Sequence, residues 1–371
     1  MAEWARIVNT TTHDYIREEE VNIMRNRKLL ALMQARGRIS FGHSGDLMDW
    51  KVRYKRAALA GYADGDILSF SRNQRWQTAQ LEYRGYSITD SYTKKERLMN
   101  AGTEAIVKFW SQTTSLLMED VEDQFCEELF VDGNAAGNSK RMHGLESFFG
   151  NSGANASAPI GTPSDTYAGL TTGLGDYGGS TSSGAAWPMT GTFDAHYDYW
   201  SPLVVDYTSA VATGSGGWAA STKTWPNTCK EAMRFGLQFS RKNKSKRGEV
   251  DLIMLDNQLF RQFGTALDSS ENIYVQKGKS GLGDQANLVS LGFGQVINFE
   301  GCEVTSEYGM PANVGYGLSL ANLEICSMQD TMFVPEGPDE DIGSKSYRFS
   351  IDWFGNMRAN PRYHFKLAAV T

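Results

Sequence analysis

Apolar residues recur at helical spacing through residues 13–35, where Ile16, Ile23, Leu30 and Met33 stand among charges. Thr10 to Thr12 can supply an N-cap and Gly37 a stop, so one amphipathic helix is predicted. Its apolar stripe is thin for a core helix, which should therefore lean on something outside itself. From 49 to 90 the period changes to 2. Trp50, Val52 and Tyr54 alternate with Lys51, Arg53 and Lys55, as in a strand with one wet face. A turn-rich patch around Gly61, Asp64 and Gly65 follows. Leu81 and Tyr83 then keep one phase, and after Gly85 it slips by one to Tyr86 and Ile88, which predicts a β-bulge at Gly85. A two-stranded ribbon is marginally stable alone, so this one needs a surface to lie on.

Residues 94–131 carry the strongest helical stripe: Leu98, Ala105, Phe109, Leu116, Leu117, Val121, Phe125 and Leu129. Asp132-Gly133-Asn134 ends it, and unbroken it would run to roughly 50–55 Å. Residues 150–222 are rich in Gly, Ser, Thr and Asn but hold Tyr177, Trp187, Tyr197, Tyr199 and Trp200, which predicts an irregular, partly packed loop or insertion. A helix over 228–243, a buried strand Val250 to Leu255, a helix from Asp256 to about Ala266 and short strands over 285–335 come next. Near the end Tyr347, Phe349, Ile351 and Trp353 alternate with Arg348, Ser350 and Asp352. Tyr363, Phe365 and Leu367 then alternate with His364 and Lys366, with Pro361 marking an edge or the start of that strand.

Composition narrows the class. The 371 residues carry a net charge of −7, 41% hydrophobic and 12% aromatic residues, so a core can form and a wholly basic nucleic-acid-binding surface is excluded. No secretory h-region or membrane-length apolar run is present. Cys126, Cys229, Cys302 and Cys326 form no CxxC pair, which fits reduced, mostly buried thiols in a chain made in the cytoplasm. The charge is segregated. Residues 51–100 hold ten basic and five acidic groups, residues 101–150 three basic and nine acidic, and no Lys or Arg occurs from Met142 to Thr222. Segregation of this kind points to surfaces meant to meet.

No catalytic, cofactor or metal constellation emerges. Gly278-Lys279-Ser280 lacks the first glycine of a phosphate loop, since position 273 is Ile273. Gly173, Gly175 and Gly178 match a dinucleotide spacing within low-complexity sequence, without the strand and helix that motif needs. Gly42-His43-Ser44-Gly45 is one residue short of a nucleophile elbow, and His13, His43, His143, His196 and His364 are scattered. Glu119, Asp120, Glu122, Asp123, Glu127 and Glu128 spread around much of a helix, as expected of a solvated or partner-facing surface. Arg241 to Arg247 is basic where a helix should end, which suits either the helix dipole or a contact with nucleic acid or a neighbour.

The derived order is a short helical arm, long basic hairpin, strut-like helix, mixed α/β region and returning strands. It resembles the major capsid proteins of tailed bacteriophages, the Hong Kong 97-type coat fold, an α+β class. Val131-Asp132-Gly133-Asn134-Ala135-Ala136-Gly137-Asn138 with His143-Gly144-Leu145 is similar to that family's helix-to-loop passage. Asn360-Pro361-Arg362-Tyr363-His364-Phe365-Lys366-Leu367 resembles its closing strand, and Ser69-Phe70-Ser71-Arg72-Asn73-Gln74-Arg75-Trp76 its extended loop. The resemblance implies an N-terminal arm over 1–45, an extended loop over 46–92, and a peripheral domain from 93–150 with 341–371, its spine helix at 94–131. It further implies an insertion or loop region over 151–224 and an axial domain over 225–340.

It implies a structural, non-enzymatic coat protein forming hexamers and pentamers of an icosahedral virion shell around double-stranded DNA. The chain would be made in the bacterial host cytoplasm, without cofactor or membrane. A separate scaffolding protein or none is implied, with portal and decoration proteins as further partners. The charge split then places the hairpin of one subunit over the acidic helix of the next. Lys51, Arg53, Lys55, Arg72, Arg75 and Arg84 would be donors, and Glu119, Glu122, Asp123, Glu127 and Glu128 acceptors. An encapsulin shell and a carboxylate-dependent hydrolase stand as alternatives.

Overall fold

A computed structural model describes residues 27–53, 61–67, 70, 75–99, 103–150, 152–155, 158–163, 165–173, 200–242, 249–268 and 296–370. Helix α1 (Lys28–Ala35) and strand β1 (Ile39–Ser40) precede an antiparallel ribbon of β2 (Leu47–Arg53) and β3 (Trp76–Glu82). Strand β4 (Arg84–Thr93) leads into helices α2 (Lys94–Met99) and α3 (Thr103–Glu128). The one-turn helix α4 (Glu146–Phe149) is followed by β5 (Ser152–Ala154), β6 (Ile160–Pro163), β7 (Thr166–Tyr167), β8 (Leu170–Thr171) and β9 (Leu203–Asp206). Helix α5 (Trp225–Lys242), strand β10 (Leu252–Leu255) and helix α6 (Asn257–Asp268) come next. Strands β11 (Ile297–Phe299), β12 (Cys302–Ser306), β13 (Gly315–Leu318), β14 (Leu323–Ser327), β15 (Val334–Asp341), β16 (Ser346–Ala359) and β17 (Phe365–Ala368) complete the order.

Two sheets organise these elements. The larger runs β11-β12-β10-β13-β17-β9-β6-β5, with parallel pairs at β10–β12 and β9–β17. Strand β10 reads Leu-Ile-Met-Leu, buried throughout, as suits a strand covered on both faces. Its residues divide by parity. Ile253 and Leu255 pack with α5 and α6 through Cys229, Met233, Leu237, Leu259 and Phe263, while Leu252 and Met254 face a second core with Tyr316, Phe148 and Phe149. Gly317 is required here, because a Cβ at that position would lie 2.1 Å from the Phe365 ring on the neighbouring strand. In the five-stranded sheet, β16 pairs with β14, β15 and β4, and α3 lays Phe125 edge-on against Trp353 at 4.8 Å.

Several sequence expectations change. The slip at Gly85 is a change of sheet, not a bulge. β3 pairs with β2, the chain passes Tyr83, and β4 pairs with β16 in unbroken register from Arg84↔Gly355 to Thr93↔Ser346. Helix α1 does not lean outside its own chain, because Leu29, Leu32 and Met33 are fully buried in the main core. Residues 13–26 lie outside the described residues. The helical stripe expected over 94–131 ends at Glu128, where two turns replace the helical ladder, and α3 itself is 26 residues or about 39 Å long. Thr93 and Glu96 form a capping box at α2, each side chain accepting from the other's backbone N–H.

In the region 151–224 the described strands β5, β6 and β9 belong to the large sheet, and each of the two sheets draws strands from both 225–340 and 341–371. β14 joins β16 in the smaller sheet, while β17 joins β9 and β13 in the larger. Strand β17 is thus interior, with Pro361 in a 3-10 turn before it. Its two covered faces explain why His364 and Lys366 are buried where alternation predicted a wet side. All four cysteines are free and buried.

Candidate assembly surface

The ribbon β2–β3 has one face on the core and one in water. Met48, Val52, Ala79 and Leu81 are buried, with Trp50 near Tyr167 and Trp200, whereas Lys51 and Arg53 are exposed. The ribbon's base is therefore anchored on its own chain, and its outward face is exposed. Arg75 is exposed beside Trp76, itself 57% exposed. Farther out stand Tyr62, Ile67 and Phe70, at 72%, 97% and 93% exposure. Lys55 and Arg72 lie outside the described residues. Arg84 is turned to its own chain, its Nη1 2.9 Å from Glu82 Oε2.

The acidic helix is more occupied than its sequence implied. Arg27, nearly fully buried, donates from Nε to Asp123 Oδ1 at 2.9 Å and from Nη1 to the Tyr308 carbonyl at 2.7 Å. Glu127 lies 3.8 Å from the same guanidinium. Glu128 accepts from Arg141 on both carboxylate oxygens and from the Tyr86 hydroxyl at 2.8 Å. That hydroxyl in turn accepts from the Met142 N–H, and burial pushes its pKa up. Asp123, Glu127 and Glu128 thus already have partners within the chain, while the side chains of Asp123 and Glu127 stay about half exposed. Glu119 and Glu122 remain half-buried, and desolvation first, then the Glu119 charge, raises the Glu122 carboxyl. Among the described residues neither forms an ion pair. Sequence reasoning missed Arg27 and Arg141. Arg27 lies 96 positions from Asp123, and Arg141 lies in the quoted passage after the helix.

Beside Arg27, Glu307 is buried at the start of α1, its Oε2 accepting from the Leu29 N–H at 2.9 Å. Lys28 Nζ donates to Thr305 Oγ1 and the Ser306 carbonyl, each at 2.7 Å. Burial pushes the Glu307 carboxyl from 4.5 up to about 7, against the Leu29 N–H and the charges of Arg27 and Lys28. The unfolded chain releases this proton near 4.5 and the folded chain near 7. Folding stability from this group is therefore present in full below 4.5 and falls as pH rises to 7. Glu307→Gln should remove this fall, on the order of 3 kcal/mol. Denaturant titrations at pH 5 and pH 8 check this, and parallel pH dependence in both chains would refute it.

Among the described residues no group of three His, Cys, Asp or Glu side chains could hold a metal ion, and no helix is long and apolar enough to cross a membrane. The architecture, an anchored ribbon with an uncovered outer reach, a long helix against a five-stranded sheet and a second mixed sheet, is the fold of capsid and encapsulin shell proteins. The chain is similar to one in the cyanophage A-1(L) capsid asymmetric unit, with a TM-score of 0.63, 14% identity and 97% of each chain covered. It is similar also to the capsid of the native GTA particle (0.51, 10% identity, 97% of this chain and 95% of that one). The SrpI encapsulin of Synechococcus elongatus matches with a TM-score of 0.50 and 9% identity over 99% and 95%. No protein-family model and no curated protein matches the sequence.

Proposed function

We propose that the chain is a major capsid protein, tiling as hexamers and pentamers into an icosahedral virion shell around double-stranded DNA. The observation that carries this reading is the likeness to the cyanophage capsid chain along 97% of both. The exposed ribbon supports it, since a monomer leaves Ile67 and Phe70 in water. In this reading 46–92 is the extended loop, α3 the spine of a peripheral domain, and α5, α6 and the larger sheet the axial part. The role is structural and the site of action the virion, after synthesis in a bacterial cytoplasm. Scaffolding, portal and decoration proteins are the partners such a shell would take. Interfaces of roughly 2,000–5,000 Å² are expected for an obligate assembly of this kind.

The ribbon of one subunit is proposed to lie over α3 of the next, with Lys51, Arg53 and Arg75 toward Glu119 and Glu122. Exposed pairs are each worth about 0–1 kcal/mol, so they set register and salt sensitivity more than total stability. Negative-stain microscopy and light scattering of the expressed chain should show closed shells; a persistent monomer or dimer refutes the reading. Reversal of Lys51, Arg53 and Arg75 to Glu should cut shell yield several-fold, and Glu119→Lys with Glu122→Lys should restore part of it. Yield indifferent to reversal and to salt would remove the electrostatic contact. An encapsulin-like compartment is the second reading, favoured by the SrpI likeness. Nucleic acid inside purified particles decides against it.

A further inference from the structure

Among the described residues of the ribbon's outer reach, Tyr62, Ile67 and Phe70 are all strongly exposed. Large apolar side chains left bare in one segment are characteristic of a contact site. Elsewhere, between α3 and the five-stranded sheet, lies a half-open pocket of about 90 Å³. Tyr86, Ile88, Val121, Phe125, Phe333 and Ile351 form its apolar wall, with Ser87, Gln124 and Glu128 as its polar lining. Among the described residues no side chain of the chain's own ribbon lines it.

Resting on the shell reading above, we infer that Ile67 of one copy seats in this pocket of a second copy. Exposure singles out the side chain: Ile67 is 97% exposed, ahead of Phe70 at 93% and Tyr62 at 72%. A branched aliphatic group fits a half-open pocket of about 90 Å³. Isoleucine is also stiff at χ1, so little rotamer freedom is lost on seating. Charge selects the partner. The ribbon that carries Ile67 exposes Lys51, Arg53 and Arg75, while α3 beside the pocket presents Glu119, Asp120 and Glu122. A second copy of this chain supplies the complement to each surface.

The test uses the full chain with Ile67→Cys and Gln124→Cys, alone and together. The four native cysteines are buried and do not compete. Mild oxidation of assembled particles should give the double variant a ladder of covalent oligomers on a non-reducing gel, while each single variant stays monomeric. Intact shells without a ladder overturn the seat and leave the shell reading standing. A ladder formed instead by Ile67→Cys with Phe354→Cys, at another exposed apolar position, overturns it too. A parent chain that forms no shells removes the shell reading and the seat together. Independently, Ile67→Ser should lower the guanidinium concentration that dissociates shells, while Ile67→Val largely keeps it; equal midpoints for all three chains count against the seat.

Discussion

A Gly144→Ala chain should fail to fold stably, with a loss of about 3 kcal/mol or more. Position 144 lies where the chain doubles back under the end of α3, and the Leu145 N–H donates to the Leu129 carbonyl at 2.8 Å. A methyl group there would sit 2.6 Å from the Val131 carbonyl oxygen and 2.7 Å from those of Glu128 and Leu129. All three obstacles are backbone, so no side-chain end can swing aside. Overpacking typically costs about 1–3 kcal/mol, and three simultaneous backbone contacts place this site at or above the top of that range. Because natural domains hold only about 5–15 kcal/mol in reserve, soluble yield and shell formation should both collapse. A parent-like denaturation midpoint for the soluble variant would show that the loop can shift, and the argument would be wrong.

Lys366→Ala should cost a comparable amount for an electrostatic reason. Lys366 Nζ lies 2.6 Å from Glu146 Oε2, both side chains are largely buried, and the Tyr316 hydroxyl donates to the other carboxylate oxygen. Removing the cation strands a buried carboxylate, at about 3–5 kcal/mol. The pair as a whole is less valuable than that figure implies, because its desolvation cost goes when both members go. Lys366→Met combined with Glu146→Gln, which keeps an acceptor for the Tyr316 hydroxyl, should therefore recover most of the lost stability. Strictly additive losses in the double-mutant cycle would mean that the two residues act separately.

How far the sequence revealed this molecule depends on which faces of each element are wet. The ribbon alternation of Trp50 and Val52 with Lys51 and Arg53 was legible because one side of β2 meets water. The same logic failed at β17, where a strand covered on both sides buries Lys366 along with Phe365, and His364 is buried just before it. The phase change at Gly85 was real, but a bulge and a transfer between sheets leave the same trace in one strand, and only the partner strand distinguishes them. Helix α1 looked too thinly apolar for a core because its polar entry residues are neutralised from afar: Arg27 by Asp123, and the Leu29 N–H by Glu307. The acidic stretch was visible, yet its division between internal partners and a free surface was not. That division depends on Arg27 and Arg141, which only the folded chain brings to α3.

The place of β17 between β9 and β13 has a consequence for synthesis. Without it the larger sheet is two fragments, β5-β6-β9 and β13-β10-β12-β11, with a gap between them. Residues 365–368 leave the ribosome more than 150 positions after residue 206. A nascent chain interrupted before that point carries two open edges instead of a closed core, and contacts this distant in sequence form slowly. Closure of the larger sheet therefore waits for residues 365–368, and until they pair the facing edges of β9 and β13 stay open.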